Sequence, residues 1–294
     1  MAEFLQATFD GLTTGAVYVL VAVGLTLGIG VARFLNFAQG QLAVLAAFVA
    51  AALAQHHLPF FVSLPVTLVA VGVIGLLMRD GIQHFARGDT MVVFLGTLGF
   101  GIIIEYVIVL IWGPDQRSVP NPVSGNVKVG GVLMSSSALL LLGISVPVMI
   151  ALYVLLARSE AGRRLRACAE NPEVSALLGI DVGRTMRAAV LLGSAMAALA
   201  GVLIGTLFPF DAFGGSNYLI KGLAVALAGG LGSITGSVVV GLALGLIETY
   251  ATVYGISVGF YHFGSAWQNG YAFVLMILVL AWRPRGLFRG TGDL

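Results

Sequence analysis

Charged residues are scarce in this sequence. Only 10% of its 294 residues are Asp, Glu, Lys or Arg, whereas 59% are hydrophobic. A soluble domain usually carries about 25% charged residues, so this chain lacks the charge that would cover a water-exposed surface. A large soluble protein with a generous core is the alternative, but several apolar runs reach the roughly 20 residues at which a helix spans a bilayer. We therefore expect a polytopic helical membrane protein.

Residues that form catalytic and metal sites are also scarce. The single cysteine, Cys168, excludes an internal disulfide and a cysteine-based metal site. The four histidines and 13 acidic residues show no metal-ligand spacing, and the sequence contains no Walker lysine loop and no nucleophile–base pair. The net charge of +2 gives no sign of a nucleic-acid partner. We expect a chain without enzymatic activity, metal or cofactor of its own.

Long apolar runs are what the sequence does contain. They predict membrane passes near 11–31, 38–54, 60–78, 91–113, 136–157, 188–208 and 268–282. A further run, 219–252, is too long for one simple helix and rather short for two. Its centre contains Gly229, Gly230, Gly232 and Gly236, and glycine at this density breaks or bends a helix. We interpret the run as two passes, the first short or partly unwound. The prediction is one all-α membrane domain, 1–294, with eight or nine passes.

Basic residues in the short loops predict the orientation. Arg79 and Arg87 flank one loop, six arginines lie within 158–187, and a third group is near the C-terminus. That third group consists of Arg283, Arg285 and Arg289. Because basic loops stay in the cytoplasm, all three groups are expected there. The polar loop 114–135 and the N-terminus are then expected outside, and two passes in 219–252 return the C-terminus to the inside.

Segment 158–187 is rich in charged residues. The whole chain has 28 of them, 15 basic and 13 acidic, and 10 of the 28 lie in this segment. Within it, Asn171 is a good N-cap, Pro172 suits the first helical position, and Gly179 suits a left-handed helix end. These signals predict a short helix over 172–178, preceded by an arginine-rich helix over 160–170. A solvated connector is the alternative. Since isolated helices this short are marginal in water, the capping and the apolar residues favour docking on another protein.

Several polar side chains occur where an apolar pass is expected. Asn36, Gln39 and Gln41 lie near membrane depth, and irregular backbone is tolerated there only inside protein or along a watery cavity. We favour a solute pathway over a satisfied turn at the cytoplasmic boundary. Thr14 and Tyr18, at the start of the first pass, face the pathway or simply hydrogen-bond within the bundle.

Glu105 and Glu248 are carboxylates inside apolar runs, and an intramembrane charge is by default a functional candidate. The alternative is a buried pair or interhelical hydrogen bond that holds the bundle together. Lys221 is either a partner for such a carboxylate or a residue that snorkels to the interface.

Three separated motifs resemble the permease subunits of branched-chain amino acid (Liv-type) ABC importers. They are "GLTTGAVYVLVAVGLTLGIGVARFLNFAQGQLAVLAAF" (11–48), "RACAENPEVSALLGIDVGR" (166–184), and "AALAGVLIG" (197–205) followed by "LAGGLGSITGSVVVGLALGLIE" (227–248). The resemblance covers nearly the whole chain. The family usually has Asn-Phe-Ala-His-Gly-Glu at 36–41, whereas this chain has Gln39 and Gln41 in place of the histidine and the glutamate. That departure leaves the solute open.

The resemblance implies a broad, many-helix permease of the bacterial inner membrane. Its expected partners are a second, homologous permease, two ABC subunits that bind ATP and Mg²⁺, and a periplasmic binding protein. Segment 158–187 then corresponds to the coupling loop that contacts an ATPase, and the matching positions are Glu160, Gly162, Arg163, Ala167, Asn171, Pro172, Ala176, Leu177 and Gly179. The expected solute is a branched-chain amino acid, or a related amino acid, amide or aromatic acid. A secondary transporter that uses Glu105 or Glu248 is the alternative, and it would need no docking element.

Overall fold

The computed structural model describes residues 2–30, 34–86, 89–123, 125–129, 132–258, 261–263, 267–284 and 286–288. Arg87, Arg285 and Arg289, which entered the orientation prediction, lie outside these residues. Helices make up most of the described chain, and two short antiparallel hairpins, which the sequence analysis did not predict, lie in its loops.

The elements follow one another as α1 (Ala2–Gly30), α2 (Gln39–Gln55), α3 (Phe60–Ala86), α4 (Thr90–Trp112), β1 (Asn126–Val129), β2 (Val132–Ser135), α5 (Ser136–Arg158), α6 (Glu160–Glu170), α7 (Pro172–Leu177), α8 (Val182–Leu207), α9 (Gly215–Gly229), α10 (Ile234–Tyr254), β3 (Ile256–Val258), β4 (Tyr261–Phe263) and α11 (Gln268–Trp282).

Six helices of the described chain are individually long and apolar enough to cross a membrane: α1, α3, α4, α5, α8 and α10. Helices α2, α9 and α11 have only 17, 15 and 15 residues. The predicted eight or nine passes therefore correspond to six full-length helices and three shorter ones. The break predicted inside 219–252 lies between α9 and α10.

Glycine allows α1 and α10 to pack closely along their lengths. A Cβ atom on Gly15 would lie 2.9 Å from the Leu242 Cα, and one on Gly11 would lie 3.0 Å from the Leu246 Cα. Further along, Thr26 hydrogen-bonds Ser237. These contacts show that α1 and α10 are antiparallel. Small residues let helix backbones approach in this way when the surrounding lipid is as apolar as the side chains.

The bundle contains two four-helix units, α1–α4 and α8–α11, that run in opposite directions. The most buried helices, α1 and α8, begin the units, and each is followed by a loop and a shorter helix. Helix α2 packs beside α8, where Gln39 contacts Gly193, while α9 packs beside α1, where Gly222 contacts Val21. The two units therefore share the same order of a long helix, a loop and a shorter helix.

The basic segments gather at one end of the bundle. The Asp80 carboxylate at the end of α3 pairs with Arg79 and also with Arg187 at the start of α8. Residues 287 and 288 donate backbone hydrogen bonds to Ala228 and Gly229 at the end of α9. The loop before α5 lies at the other end, where Gln6 near the start of α1 hydrogen-bonds the Leu133 backbone. The described basic segments thus lie at the end opposite the loop before α5, and the side of the membrane that each end faces stays a prediction.

Candidate functional site

The N-termini of α2 and α9, two of the three shorter helices, meet inside the bundle. A Cβ atom on Gly40, in the first turn of α2, would overlap the carbonyl oxygen of Gly215, the first residue of α9. The loops that lead to these helices begin alike. Asn36 Oδ1 accepts a hydrogen bond from the Ala38 N–H at 3.0 Å, and Asp211 Oδ1 accepts one from the Phe213 N–H at 2.8 Å. We call this contact the α2–α9 crossing.

Three predicted pathway residues surround the crossing, and all are buried. Asn36 Nδ2 donates to Gln39 Oε1 at 3.2 Å, and Gln39 Nε2 donates to the Gly193 carbonyl of α8 at 2.9 Å. These bonds fix the loop before α2 against α8. Asn36 and Gln39 therefore help to hold the crossing in place.

Gln41 joins the crossing to a carboxylate on a different helix. Its Nε2 donates to Oε2 of Glu105, in the second half of α4, at 2.7 Å. Its Oε1 is buried and has no hydrogen-bond partner among the residues that the structure describes. Glu105 is half-buried, and no Lys, Arg or His of the described chain forms an ion pair with it. The structure thus brings together two polar groups that the sequence presented separately.

Glu248 belongs to a second buried network, which links α1, α9 and α10. Lys221 Nζ lies 2.6 Å from Glu248 Oε1 and 2.8 Å from the Tyr18 hydroxyl oxygen. Tyr18 donates to Glu248 Oε2 at 2.7 Å. Lys221 is 7% exposed and Glu248 is 2% exposed, so Lys221 is a partner of the carboxylate and does not snorkel. The charge of Glu248 is compensated within the bundle.

The predicted pathway residues therefore separate into two groups. Asn36, Gln39, Gln41 and Glu105 surround the α2–α9 crossing, whereas Tyr18 and Glu248 form the network with Lys221. Thr14 is half-buried one helical turn before Tyr18 and makes no side-chain hydrogen bond to the described residues.

The glycines predicted to break the helix have two different roles. Gly230 and Gly232 lie between α9 and α10 with φ angles of 107° and 89°, a region that side-chain-bearing residues avoid. Gly229 ends α9, and Gly236 lies in the first turn of α10. A Cβ atom on Gly229 would lie 2.6 Å from the Gly236 carbonyl carbon. The first pair forms the turn, and the second pair allows the two helices to cross closely.

Segment 158–187, the predicted coupling loop, contains the two predicted helices, α6 and α7. Asn171 Oδ1 accepts hydrogen bonds from the Glu173 and Val174 N–H groups at 3.0 and 3.1 Å, and Pro172 occupies the first turn of α7. Gly179 follows α7 with a φ of 81°. A Cβ atom on the buried Gly162 would lie 2.5 Å from the Leu155 carbonyl oxygen, so α6 folds tightly against the end of α5. Local capping and this close approach hold the loop in one shape.

Apolar side chains project from this loop. Leu177 and Leu178 are 87% and 76% exposed, and Val174 is also exposed. We call these three residues the apolar tip. Ala176 and Arg163 are exposed nearby, Ala167 is half-buried, and Glu160 makes long surface ion pairs of 3.7 Å. A contiguous apolar surface beside so many charges is typical of a binding site for another protein.

Comparison with solved structures shows a similar fold in PsaBC from Streptococcus pneumoniae, solved in complex with Fab. The alignment covers 95% of each chain, with a TM-score of 0.53 and 13% sequence identity. The similarity supports a many-helix bundle and concerns the fold alone.

Two curated proteins are similar along almost their whole lengths. The high-affinity branched-chain amino acid transport system permease protein BraD of Pseudomonas aeruginosa is 29% identical, over 97% of this chain and 95% of BraD. The LivH permease protein of the corresponding system in Escherichia coli K12 is 27% identical, with the same coverage of each chain. The sequence model of the family described as branched-chain amino acid transport system / permease component matches residues 7–280. The chain therefore belongs to the family of permease components of branched-chain amino acid transport systems.

Proposed function

We propose that this chain is the membrane permease subunit of an ATP-driven ABC importer in a bacterial inner membrane. Its solute is a branched-chain amino acid or a closely related small molecule. Family membership supports the transport role, and the names of BraD and LivH support the solute class. ATP and Mg²⁺ bind to separate subunits, and this chain supplies the pathway and the contact with them.

The observation on which the proposal chiefly depends is the apolar tip of the coupling loop. Helix α7 has six residues, too few for independent stability in water, yet both of its ends are capped and its leucines point outward. The loop connects α5 to α8, and α8 contacts the α2–α9 crossing through Gly193 and Gln39. A movement of the tip would therefore pass through α8 to the crossing. We propose that the tip inserts into a cleft of an ATP-hydrolysing subunit.

The proposed assembly contains a second, homologous permease, two ATP-binding subunits and a periplasmic binding protein. The basic end of the bundle faces the cytoplasm, where the ATPases bind, and loop 114–135 faces the periplasm. Polar side chains exposed on the otherwise apolar bundle support a second permease. Ser216 and Asn217 on α9 are exposed, and Asn217 pairs with Asn269 of α11. Such groups are costly toward lipid, so this face suits a partner subunit or a watery pathway.

Substitution of the apolar tip tests the coupling contact. We expect Leu177→Arg and Ala176→Arg to abolish co-purification of the ATP-binding subunit and ATP-driven uptake, because a bulky cation replaces a small or apolar contact surface. Membrane insertion should be unchanged, since both side chains are exposed. Leu58→Arg is the matched control, because Leu58 is an exposed leucine in the α2–α3 turn at the opposite end. If both tip variants form a complete complex and transport at the normal rate, the coupling contact lies elsewhere.

A further inference from the structure

The α2–α9 crossing contains backbone N–H groups that have no acceptor among the described residues. Gly40, Gln41 and Gly215 are buried, and none of their N–H groups donates to an acceptor in the described chain. The first N–H groups of a helix require a partner outside the helix, and a buried helix start without one indicates that the partner is missing. Within the described chain, the starts of α2 and α9 both have such unpaired N–H groups, and they lie at the same place.

The side chain of Gln41 adds an acceptor to which no described residue donates. Gln41 is 6% exposed, and its Nε2 donates to Glu105, so Oε1 is the amide atom that has no hydrogen-bond partner among the described residues. A Cβ atom on Gly215 would lie 2.5 Å from this Oε1, which places the oxygen at the first residue of α9. A buried amide oxygen without a donor is unfavourable. The unpartnered acceptor and the unpartnered donors therefore adjoin one another.

These groups select a ligand with two opposite charges. Helix N-termini favour a carboxylate, because their N–H groups and dipoles point toward it. Gln41 Oε1 and the Glu105 carboxylate favour an ammonium group, which is a cation and supplies several donors. An α-amino acid has both groups on one carbon atom. An uncharged amide lacks the anion, and an aromatic or aliphatic acid lacks the ammonium group.

An apolar cleft adjoins the same place. Leu219 lies next to Gly40, and a Cβ atom on Gly40 would be 3.0 Å from the Leu219 Cβ. Asn36 and Leu219 both line a narrow cleft whose other walls are Leu25, Ile29, Leu35, Phe37 and Leu223. These walls are almost wholly aliphatic and aromatic, which suits an aliphatic side chain. The cleft has about 0 Å³ of space for water in this closed arrangement, so it would hold a side chain only after α2 and α9 separate.

We propose that the α2–α9 crossing is a subsite for a zwitterionic α-amino acid with an aliphatic side chain. The carboxylate binds the first-turn N–H groups of α2 and α9, the ammonium group binds Gln41 Oε1 and Glu105, and the side chain enters the cleft beside Asn36. The touching backbones of Gly40 and Gly215 represent the closed subsite, which opens when α2 and α9 separate. The proposal rests on the proposed import function and specifies its solute.

Ligand-induced thermal stabilisation of the purified permease complex, without binding protein, tests the subsite. A ligand that binds only the folded state raises the unfolding temperature in proportion to its occupancy. The probes are L-leucine, 4-methylpentanoate (no amine), 3-methylbutylamine (no carboxylate) and 4-methylpentanamide (no charge). We expect L-leucine to stabilise the wild type and the three analogues to have little effect. If any analogue stabilised the wild type as much as L-leucine does, or if L-leucine did not stabilise it, the proposal would be overturned by the wild-type data alone.

Substitutions at the α2–α9 crossing test whether L-leucine binds there. Gln41→Met and Glu105→Gln should raise the dissociation constant for L-leucine about tenfold or more, because each removes a hydrogen bond to a charged group. Gln55→Met is the matched control, at the exposed far end of α2, and should bind as the wild type does. Normal L-leucine binding by both site variants overturns the subsite.

ATP-driven uptake by the wild-type complex is measured in parallel. Uptake of an amine-free acid or an uncharged amide would contradict the subsite alone, whereas no uptake of any solute would contradict the proposed function.

Discussion

At the scale of single residues, the network of Tyr18, Lys221 and Glu248 shows how a membrane bundle accommodates charge. An isolated carboxylate in an apolar pass costs several kcal/mol. Here an ammonium group at 2.6 Å compensates it, and a tyrosine hydroxyl hydrogen-bonds to both partners. Each of the three side chains comes from a different helix. The network therefore fixes the relative positions of α1, α9 and α10.

Removing one charge of this pair should destabilise the protein more than removing both. We expect Lys221→Met or Glu248→Leu alone to lower the free energy of unfolding by about 3–5 kcal/mol, because the remaining charged partner is buried without compensation. The double variant Lys221→Met/Glu248→Leu should recover much of that loss. Thermal unfolding of purified protein measures both effects. A double variant whose loss equals the sum of the single losses would show that the pair is not coupled.

At the scale of elements, the α2–α9 crossing depends on two glycines that allow two backbones to touch. Asn36 and Gln39 hold the loop before α2 in position through side-chain hydrogen bonds. The loop before α9 is held by the Asp211 side chain and by backbone hydrogen bonds between Phe210 and Arg117. Both short helices therefore begin from loops that are fixed to the rest of the bundle. This geometry explains why irregular backbone persists inside an apolar domain.

Gly40→Ala should separate the two helices. The added methyl group would overlap the Gly215 carbonyl oxygen, and overpacking of this kind costs about 1–3 kcal/mol. Gly99→Ala is the matched control, because a Cβ atom on Gly99 of α4 has no atom within 4 Å. We expect a lower unfolding temperature for Gly40→Ala and an unchanged or slightly higher one for Gly99→Ala. Equal behaviour of the two variants would show that the backbones at the crossing are not in contact.

At the scale of the whole molecule, the two ends of the bundle differ in chemistry. One end has the basic segments and the coupling loop, whereas the other has the hairpin β1–β2 and the turn between α2 and α3. The proposed orientation places the first end in the cytoplasm. It requires that residues at opposite ends of the bundle be accessible from opposite sides of the membrane.

Cysteine labelling tests this orientation. The only native cysteine, Cys168, is buried, and Cys168→Ala removes its background. In that variant, expressed without the ATP-binding subunits so that the apolar tip is not covered, Leu177→Cys should react with a membrane-impermeant maleimide only in inside-out vesicles, and Leu58→Cys only in intact spheroplasts. Both leucines are exposed, so a lack of reaction from one side reports the membrane rather than burial. Labelling of both cysteines from the same side would contradict the proposed orientation.

Local sequence signals determined the class and several elements of this protein. Scarce charge and long apolar runs indicate a membrane bundle. Asn171, Pro172 and Gly179 define the ends of α7. The glycines near 230 divide the apolar run 219–252 into two helices. These signals act between residues a few positions apart, so they remain legible in the sequence. The motifs that resemble the family predicted the membership that the comparisons confirm.

Only the tertiary structure decided which polar groups meet. Gln41 and Glu105 are 64 positions apart, and Tyr18 and Glu248 are 230 apart; nothing local to either pair indicates its partner. The crossing of α2 and α9 and the two opposed four-helix units were likewise not predicted. The physical reason is that lipid and neighbouring helices are equally apolar, so hydropathy identifies a pass without specifying which of its faces contacts another helix. Close glycine contacts and buried hydrogen bonds between distant segments make that choice.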